Sequence, residues 1–173
     1  MKTLIAALFF IVTAASTSAI EGFDVFKFGM SYEQVKKLSE CKWEPQDITF
    51  TGFMITQSSR ADLYKCRDFL YEGQKVEFYT EYIDQLLQRI IIDVSGSEGN
   101  IISRLEKFKQ VHGFKNGKSS KKGRSTIYHF DDPTVEVEVY EAPLNLMYIR
   151  FYSEDYEQLI RQPSLKILEK YKA

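Results

Sequence analysis

Hydrophobic and polar residues alternate with a period of two in two segments of the chain. Residues 76–82 read Val-Glu-Phe-Tyr-Thr-Glu-Tyr, and residues 135–140 read Val-Glu-Val-Glu-Val-Tyr. This pattern is typical of antiparallel strands that bury one face. The turn signals Glu-Gly at 72–73 and Asp-Asp-Pro at 131–133 lie just before these two strands. Four further segments are rich in Ile, Tyr and Phe or precede a turn signal, and they are also predicted to be strands: 64–71, 86–94, 125–130 and 146–152.

Two segments carry clear helix signals. Ser31 and Gln34 form an S-x-x-Q capping box, which predicts a helix over about 31–40. In 100–112, apolar residues recur at helical spacing, and Gly113 follows as a C-terminal stop. The pattern therefore predicts a second helix there.

A third helix is predicted to begin near Asp155 and to be interrupted at Pro163, within a helical C-terminal tail over 155–171. Helices combined with antiparallel strands indicate the α+β class, with the helices packed on one face of an antiparallel sheet. No segment rich in Pro, Gly and Ser is long enough to be a linker, so residues 20–173 are predicted to form a single domain.

The order of one helix followed by three strands occurs twice, which predicts two tandem repeats. The first covers about 26–94 and the second about 97–152. A shift of 59 residues superposes the strands and turns of the halves without a gap, and it maps Ile90 onto Ile149. The first half carries an additional segment, 45–62, with strand-like sequences at 48–50 and 53–56.

The first 19 residues have the pattern of a cleavable export signal. Lys2 is followed by an apolar run over 4–15 and by small residues up to Ala19. The run is shorter than the ~20 residues that a membrane-spanning helix needs. Cleavage is predicted after Ala19 or, as the alternative, after Ser18. The mature chain is expected in the periplasm or secreted, without a membrane span.

The chain has two cysteines, Cys41 and Cys66. In an oxidising compartment this pair predicts one disulfide bond, and the alternative is two buried free thiols. Neither cysteine lies near the predicted cleavage site, so no lipid anchor is expected. His112 and His129 do not stand at ligand spacing with the cysteines, so no metal or other cofactor is expected. Trp43, the only tryptophan, is predicted to lie in the core or against the disulfide.

The composition of the chain and its motifs argue against several classes of function. The chain is 44% hydrophobic and 14% aromatic, which excludes a disordered protein, and its net charge of −1 argues against binding to nucleic acid. It contains no phosphate-binding loop and no G-x-S-x-G motif. We therefore expect a protein that is not an enzyme. The alternative is an envelope hydrolase that depends on His129.

A basic segment lies at 115–124 and reads Lys-Asn-Gly-Lys-Ser-Ser-Lys-Lys-Gly-Arg. It could dock on lipid headgroups, a glycan or an acidic partner. The interpretation that we favour is a solvated, mobile hairpin or loop, because the segment has nothing apolar to bury.

Period-two alternation also assigns the faces of the strands. Val, Ile and Phe point toward the helices, so tyrosine and arginine are left on the opposite, solvent face. Both residue types are enriched at interface hot spots. The alternative is a sheet surface held by cross-strand Tyr–Arg and Arg–Glu pairs. The predicted partner-binding residues are Tyr79, Arg89, Tyr140, Tyr148, Arg150 and Tyr152.

The functional prediction that follows is an exported module that binds another exported or envelope protein through this face. It would act as an inhibitor, as an immunity protein against a secreted toxin, or as an assembly factor. The alternative is a carrier of a small apolar ligand, such as a lipid, held between the helices and the sheet.

Residues 28–38 read Phe-Gly-Met-Ser-Tyr-Glu-Gln-Val-Lys-Lys-Leu. This stretch resembles the opening of the beta-lactamase inhibitor protein-like and SmpA/OmlA-like modules. The resemblance implies a short helix ahead of an antiparallel meander, which the inhibitor proteins carry twice in tandem. It also implies binding to another protein through an open sheet face, without catalysis.

Overall fold

The computed structural model describes residues 22–46, 61–95 and 100–161. Its main element is an eight-stranded antiparallel sheet, to which the two halves of the chain contribute four strands each. In chain order these strands are β3 Trp43–Gln46, β4 Ala61–Tyr71, β5 Gln74–Ile83, β6 Leu86–Asp93, β7 Asn116–Lys122, β8 Ser125–Phe130, β9 Val135–Tyr140 and β10 Leu146–Tyr152. Their order across the sheet is β3-β4-β5-β6-β10-β9-β8-β7. The predicted α+β class with an antiparallel sheet is confirmed.

The helices begin where the sequence places their caps. Helix α1 covers Tyr32–Leu38, and Ser31 and Gln34 exchange both hydrogen bonds of the capping box. Helix α2 covers Ile101–His112; the Asn100 side chain accepts from the backbone N–H of Ile102 at 2.8 Å. Gly113 ends α2 with a left-handed φ of 71°, a conformation that glycine adopts without strain.

Helices α1 and α2 pack on one face of the sheet, which we call the helix face. The main hydrophobic core lies between them and the sheet. It contains Val35 of α1, Leu105 and Phe108 of α2, and the inward residues of β5 and β6 such as Phe78 and Ile90, all almost fully buried. The alternation of the strands therefore sorted the apolar side chains as predicted.

The third helix departs from the predicted arrangement. Helix α3 covers Tyr156–Arg161, close to its expected start, but it packs against the face opposite to α1 and α2. Tyr156 lies there with Ala61 and Ile83 in a second apolar cluster. The prediction that all helices pack on one face is therefore wrong for α3. The reason is that this end of the sheet carries apolar side chains on both of its faces, and each face needs an element packed against it.

The predicted disulfide is present, between Cys41 and Cys66. Cys41 precedes β3, and Cys66 lies on β4 directly opposite Trp43 in the β3–β4 register. Trp43 is buried, and its indole N–H donates to Ser39 Oγ at 3.1 Å. The tryptophan is thus part of the core beside the disulfide, as the sequence predicted.

Three strand regions were not predicted. A hairpin precedes α1, formed by β1 Gly22–Phe23 and β2 Phe26–Lys27. At the edges of the main sheet, β3 is short and contains proline, and β7 is formed by most of the basic segment. Edge strands pair on one side only and need little apolar alternation, so neither shows a strand pattern. The basic segment is therefore a hairpin with β8 rather than a loop.

Several predicted segments lie outside the described residues: the export signal over 1–19, the strand-like sequences at 48–50 and 53–56, and the tail from 164 to 171. None of the three helices described has the length and apolar character that crossing a membrane requires.

Candidate functional site

The predicted partner-binding residues lie on one face of the sheet, opposite to the helix face, and we call this the polar face. Their common face confirms the alternation, but the expected exposure to solvent is wrong. Tyr152 is half-buried, and the other five are 4–8% exposed: Tyr79, Arg89, Tyr140, Tyr148 and Arg150. The physical reason is that their rings pack in apolar clusters and their polar tips are hydrogen-bonded within the face.

Arg150 is the centre of the largest network on the polar face. It lies on β10 opposite Glu136 of β9 and donates to Glu136 Oε1 at 3.0 Å. Its second Nη donates to Glu138. The hydroxyl of Tyr152 also donates to Glu136 Oε1, at 2.5 Å, and the hydroxyl of Ser125 donates to Glu138 Oε1 at 2.6 Å. The guanidinium is thus held between two carboxylates, each of which also accepts a hydrogen bond from a hydroxyl group.

The pKa values in this network follow from its contacts. Burial by itself would raise the pKa of Glu138, but hydrogen bonds from Ser125, Arg150 and Tyr140 hold it below its ordinary value. Burial acts against the charged form of Arg150, whereas Tyr152 and the two carboxylates favour that form and raise its pKa. The pair is therefore ionised at neutral pH.

A second network joins the polar face to α3. Arg89 Nε lies 2.5 Å from Glu81 Oε2, and the hydroxyl of Tyr156 donates to the same oxygen at 3.1 Å. The guanidinium of Arg89 also lies 5.3 Å from the centre of the Tyr156 ring. Glu81 is fully buried, and its burial raises its pKa despite the neighbouring arginine.

A third network lies on β4 and β5. Lys65 Nζ is 2.5 Å from Glu77 Oε1, and the hydroxyl of Tyr79 donates to Glu77 Oε2 at 2.5 Å. Burial opposes the ionised form of Glu77, but these two partners lower its pKa overall. Burial is the main reason that the pKa of Tyr79 is raised.

Together the three networks favour the second interpretation of this face, that of cross-strand Tyr–Arg and Arg–Glu pairs. The polar face brings the six predicted residues together, but as an internal structure rather than as an open docking surface.

The helix side carries a groove that the sequence did not predict. It has a volume of about 440 Å³. The β1–β2 hairpin supplies Phe23, the end of β4 supplies Phe69, Leu70 and Tyr71, the end of α2 supplies His112, and β10 supplies Phe151. Phe23 is the central ring, with its centroid 4.9 Å from that of Phe151 and 6.1 Å from that of Tyr71.

A smaller cavity of about 120 Å³ adjoins this groove and shares Tyr71 and Glu72 with it. It lies between α2 and the sheet. Arg104 donates there to the carbonyl of Val94, and Lys107 forms an ion pair with Glu72. The groove is thus rich in aromatic rings, and charged residues line both the groove and its neighbour.

The groove also carries polar groups, since Asp24 and Glu72 belong to its lining. The hydroxyl of Tyr71 lies 3.5 Å from Nε2 of His112, and partial burial lowers the pKa of that histidine. The imidazole is therefore mainly neutral at neutral pH. A groove of this volume with several aromatic walls has the size of a small-molecule site.

The groove was missed because its parts are far apart in the chain. Aromatic residues at 23, 26 and 28 follow the predicted cleavage site, and no alternation or helical spacing accounts for them. This unexplained cluster is the signal that could have pointed to the groove, but its neighbours come from β4, α2 and β10.

Side chains that could bind a metal ion do not form a cluster among the described residues. Within 22–46, 61–95 and 100–161, no group of three or more His, Cys, Asp and Glu side chains could hold a metal ion. His112 ends α2 and His129 lies in β8.

The fold and the groove define an α+β protein with an antiparallel sheet covered on both faces. A family model described as "Uncharacterised protein" matches residues 23–170, and the chain belongs to that family. Comparison with curated proteins and with solved structures gives no match.

Proposed function

We propose that this chain is an exported binding protein, without catalytic activity, that holds a small apolar ligand in the groove between the β1–β2 hairpin, β4 and α2. The observation that carries this proposal is the groove itself. Its volume of about 440 Å³ lies within the range of about 300–1,000 Å³ typical of small-molecule sites. Its walls are mainly aromatic, and aromatic rings give a large apolar contact area at low conformational cost.

The polar face supports a ligand carrier better than a protein-binding module. A docking surface needs tyrosine and arginine side chains that a partner can reach. Here Arg150 is 5% exposed and Tyr148 is 6% exposed, and Arg150 is already paired with two carboxylates. Uncovering these groups for a partner would break buried ion pairs, which costs about 3–5 kcal/mol for each uncompensated charge.

A protein partner is the second candidate, now on the helix side. Leu70, which belongs to the groove lining, is 67% exposed, and Val111, which precedes His112 in α2, is 59% exposed. Exposed large apolar side chains are typical of interaction sites. An inhibitor, immunity protein or assembly factor would contact its partner through Leu70 and Val111, which we call the rim, rather than through the polar face.

The proposal that the chain is exported rests on the sequence of residues 1–19 and on the disulfide bond. The sequence of 1–19 has the order of regions found in signal peptides. A bond between Cys41 and Cys66 is stable in the periplasm or outside the cell, and it is rare in the cytoplasm.

We also infer that the two halves of the chain are an internal duplication. The shift of 59 residues maps Ile91 onto Arg150, and these two residues face each other at the centre of the β6–β10 ladder. On either side of this pair the shift maps Ile90 onto Ile149 and Ile92 onto Phe151. The ladder pairs Ile90 with Phe151 and Ile92 with Ile149, as a two-fold relation between the halves requires. An alignment of family members in which the halves fail to match at this shift would remove the inference.

The carrier proposal is tested by filling the groove. We expect His112→Trp to weaken binding of the fluorescent apolar probe N-phenyl-1-naphthylamine to the mature chain by about tenfold, because the larger ring occupies the groove. The matched control is His129→Trp, since His129 is also exposed but lies on β8 outside the groove. This control should bind the probe within about twofold of the unchanged chain.

Native mass spectrometry of the purified protein gives an independent readout. A bound small molecule that is lost in His112→Trp and retained in His129→Trp supports the carrier. If neither the unchanged chain nor the control binds the probe or a copurified molecule, the groove is not a ligand site and the rim becomes the leading candidate.

A further inference from the structure

We propose that the β7–β8 hairpin is a docking site for membrane surfaces that contain anionic phospholipid. The site consists of Lys118, Lys121, Lys122 and Arg124, which we call the cationic hairpin. All four residues are exposed. The proposal is independent of the groove, because none of these residues lines it.

The charge of the cationic hairpin is available to a partner. Some other surface cations of the described chain are paired, such as Lys75 with Asp68 and Arg67 with Glu44. No carboxylate among the described residues lies within 4 Å of any of the four hairpin cations. Since the whole chain has a net charge of −1, this positive charge is concentrated rather than general.

The structure also explains how such a segment is ordered. β7 pairs with β8 from Asn116↔Phe130 to Lys122↔Ser125, and the turn at 123–124 closes the hairpin. Ser125 Oγ, whose proton goes to Glu138, lies 3.0 Å from the carbonyl oxygen of Lys122 beside the turn. The lysines are therefore presented on a strand, which costs less ordering entropy on binding than a flexible loop would.

Apolar side chains stand at the same end of the sheet. The strands are antiparallel, so the turns before β5, β8 and β10 all lie at one end. The turn before β10 carries Leu144, 45% exposed, and it neighbours the hairpin because β9 pairs with β8. Leu70, 67% exposed, precedes the turn before β5.

This combination favours a membrane over an acidic protein or a glycan. Cations attract anionic headgroups, and nearby leucines can enter the interface between headgroups and acyl chains. A purely polyanionic partner would use the cations and leave the leucines without a role. The absence of a predicted lipid anchor is consistent with this mode, because the contact is peripheral and reversible.

The test uses the full mature chain and sedimentation with vesicles. One set contains phosphatidylcholine alone, and the other contains about 30% phosphatidylglycerol. We expect binding to the anionic vesicles only, and we expect it to decrease between about 0.1 M and about 0.5 M salt, because salt screens exposed charges.

The variant replaces all four hairpin cations by glutamine: K118Q, K121Q, K122Q and R124Q. Each cation near an anionic surface accounts for about a fivefold change in partition, so we expect a loss of at least about tenfold. The matched control removes four other exposed cations, Lys27, Lys36, Lys37 and Lys42, by the same change. Their segment begins at the opposite end of the sheet, since Ser31 bridges to Leu86 at the start of β6. The control should bind as the unchanged chain does.

A third variant, Leu144→Ser, leaves the charge unchanged and should weaken vesicle binding by about fivefold. Equal losses in the hairpin variant and the control would overturn the proposal, since net charge alone would then explain binding. Binding to heparin or polyglutamate without binding to vesicles would assign the hairpin to a soluble polyanion. If the unchanged chain binds none of these, the lysines act only to protect the sheet edge from pairing.

Discussion

At the scale of single residues, Arg150 distinguishes a closed polar face from an open one. Its guanidinium is buried between Glu136 and Glu138, and both carboxylates accept from it. In water such a residue would contribute little to stability, because exposed ion pairs are worth only about 0–1 kcal/mol. In this position its loss leaves two carboxylates without their cation.

We therefore predict that Arg150→Met lowers the free energy of unfolding by about 3–5 kcal/mol, measured by urea denaturation followed by circular dichroism. Arg124→Met is the control, because Arg124 is exposed and has no carboxylate partner among the described residues. It should change stability by no more than about 0.5 kcal/mol. An Arg150→Met variant as stable as the control would mean that the polar face is open in solution, and the original partner-binding prediction would regain its surface.

The side of the sheet on which each residue lies could be predicted from the sequence, but the burial of that side could not. Alternation placed Tyr79, Tyr148 and Arg150 on one face correctly, because side chains point to opposite sides at every step of a strand. Alternation could not predict which parts of the chain pack against that face. Cover depends on α3, whose Tyr156 donates to Glu81, and on pairings between strands that are distant in the chain, such as β6 with β10.

At the scale of elements, α3 is attached to the sheet mainly by Tyr156. The helix has only six residues, too few to be stable by itself. Its ring packs on Tyr152 with centroids 5.0 Å apart, and its hydroxyl reaches the buried carboxylate of Glu81. The same carboxylate has its other oxygen, Oε1, buried without a hydrogen-bond partner among the described atoms.

We predict that Tyr156→Phe lowers the free energy of unfolding by about 1.5–3 kcal/mol, because a hydrogen bond to a charged, buried group is lost. Tyr64→Phe is the matched control, since Tyr64 stacks on Tyr32 and is only half-buried. Its effect should stay within about 0.5 kcal/mol in thermal and urea unfolding. Equal effects in both variants would contradict the assignment of Tyr156 as the attachment of α3.

At the scale of the whole molecule, one covalent bond ties an edge strand to the core. The Cys41–Cys66 disulfide spans 25 residues and joins the start of β3 to β4. A loop of this length is worth about 3 kcal/mol in the chain-entropy model.

We predict that changing both cysteines to serine lowers the melting temperature by about 6–12 °C, from about 2–4 °C per kcal/mol for a chain of this size. Reduction of the unchanged chain with dithiothreitol should give a similar decrease, and it should give none in the double variant. If reduction leaves the melting temperature of the unchanged chain unaltered, the bond is not formed in the protein, and the argument for export loses its structural support.

The sequence by itself determined the elements with local signals. The caps at Ser31 and Gly113 predicted α1 and α2. Alternation, residue composition and turn signals together predicted six strands of the main sheet, with bounds close to those observed. The spacing of hydrogen bonds and side chains within one element is local, so a single segment contains enough information.

Which faces are covered, and where a groove forms, depended on the tertiary structure. Helix α3 covers one end of the polar face, cross-strand ion pairs hold the arginine of its largest network, and the groove is assembled from Phe23, Tyr71, His112 and Phe151. Those contacts join residues that are far apart in the chain, and their formation depends on the order of strands across the sheet. A periodic pattern records on which side of an element a residue lies, whereas burial is a property of everything that packs against that side.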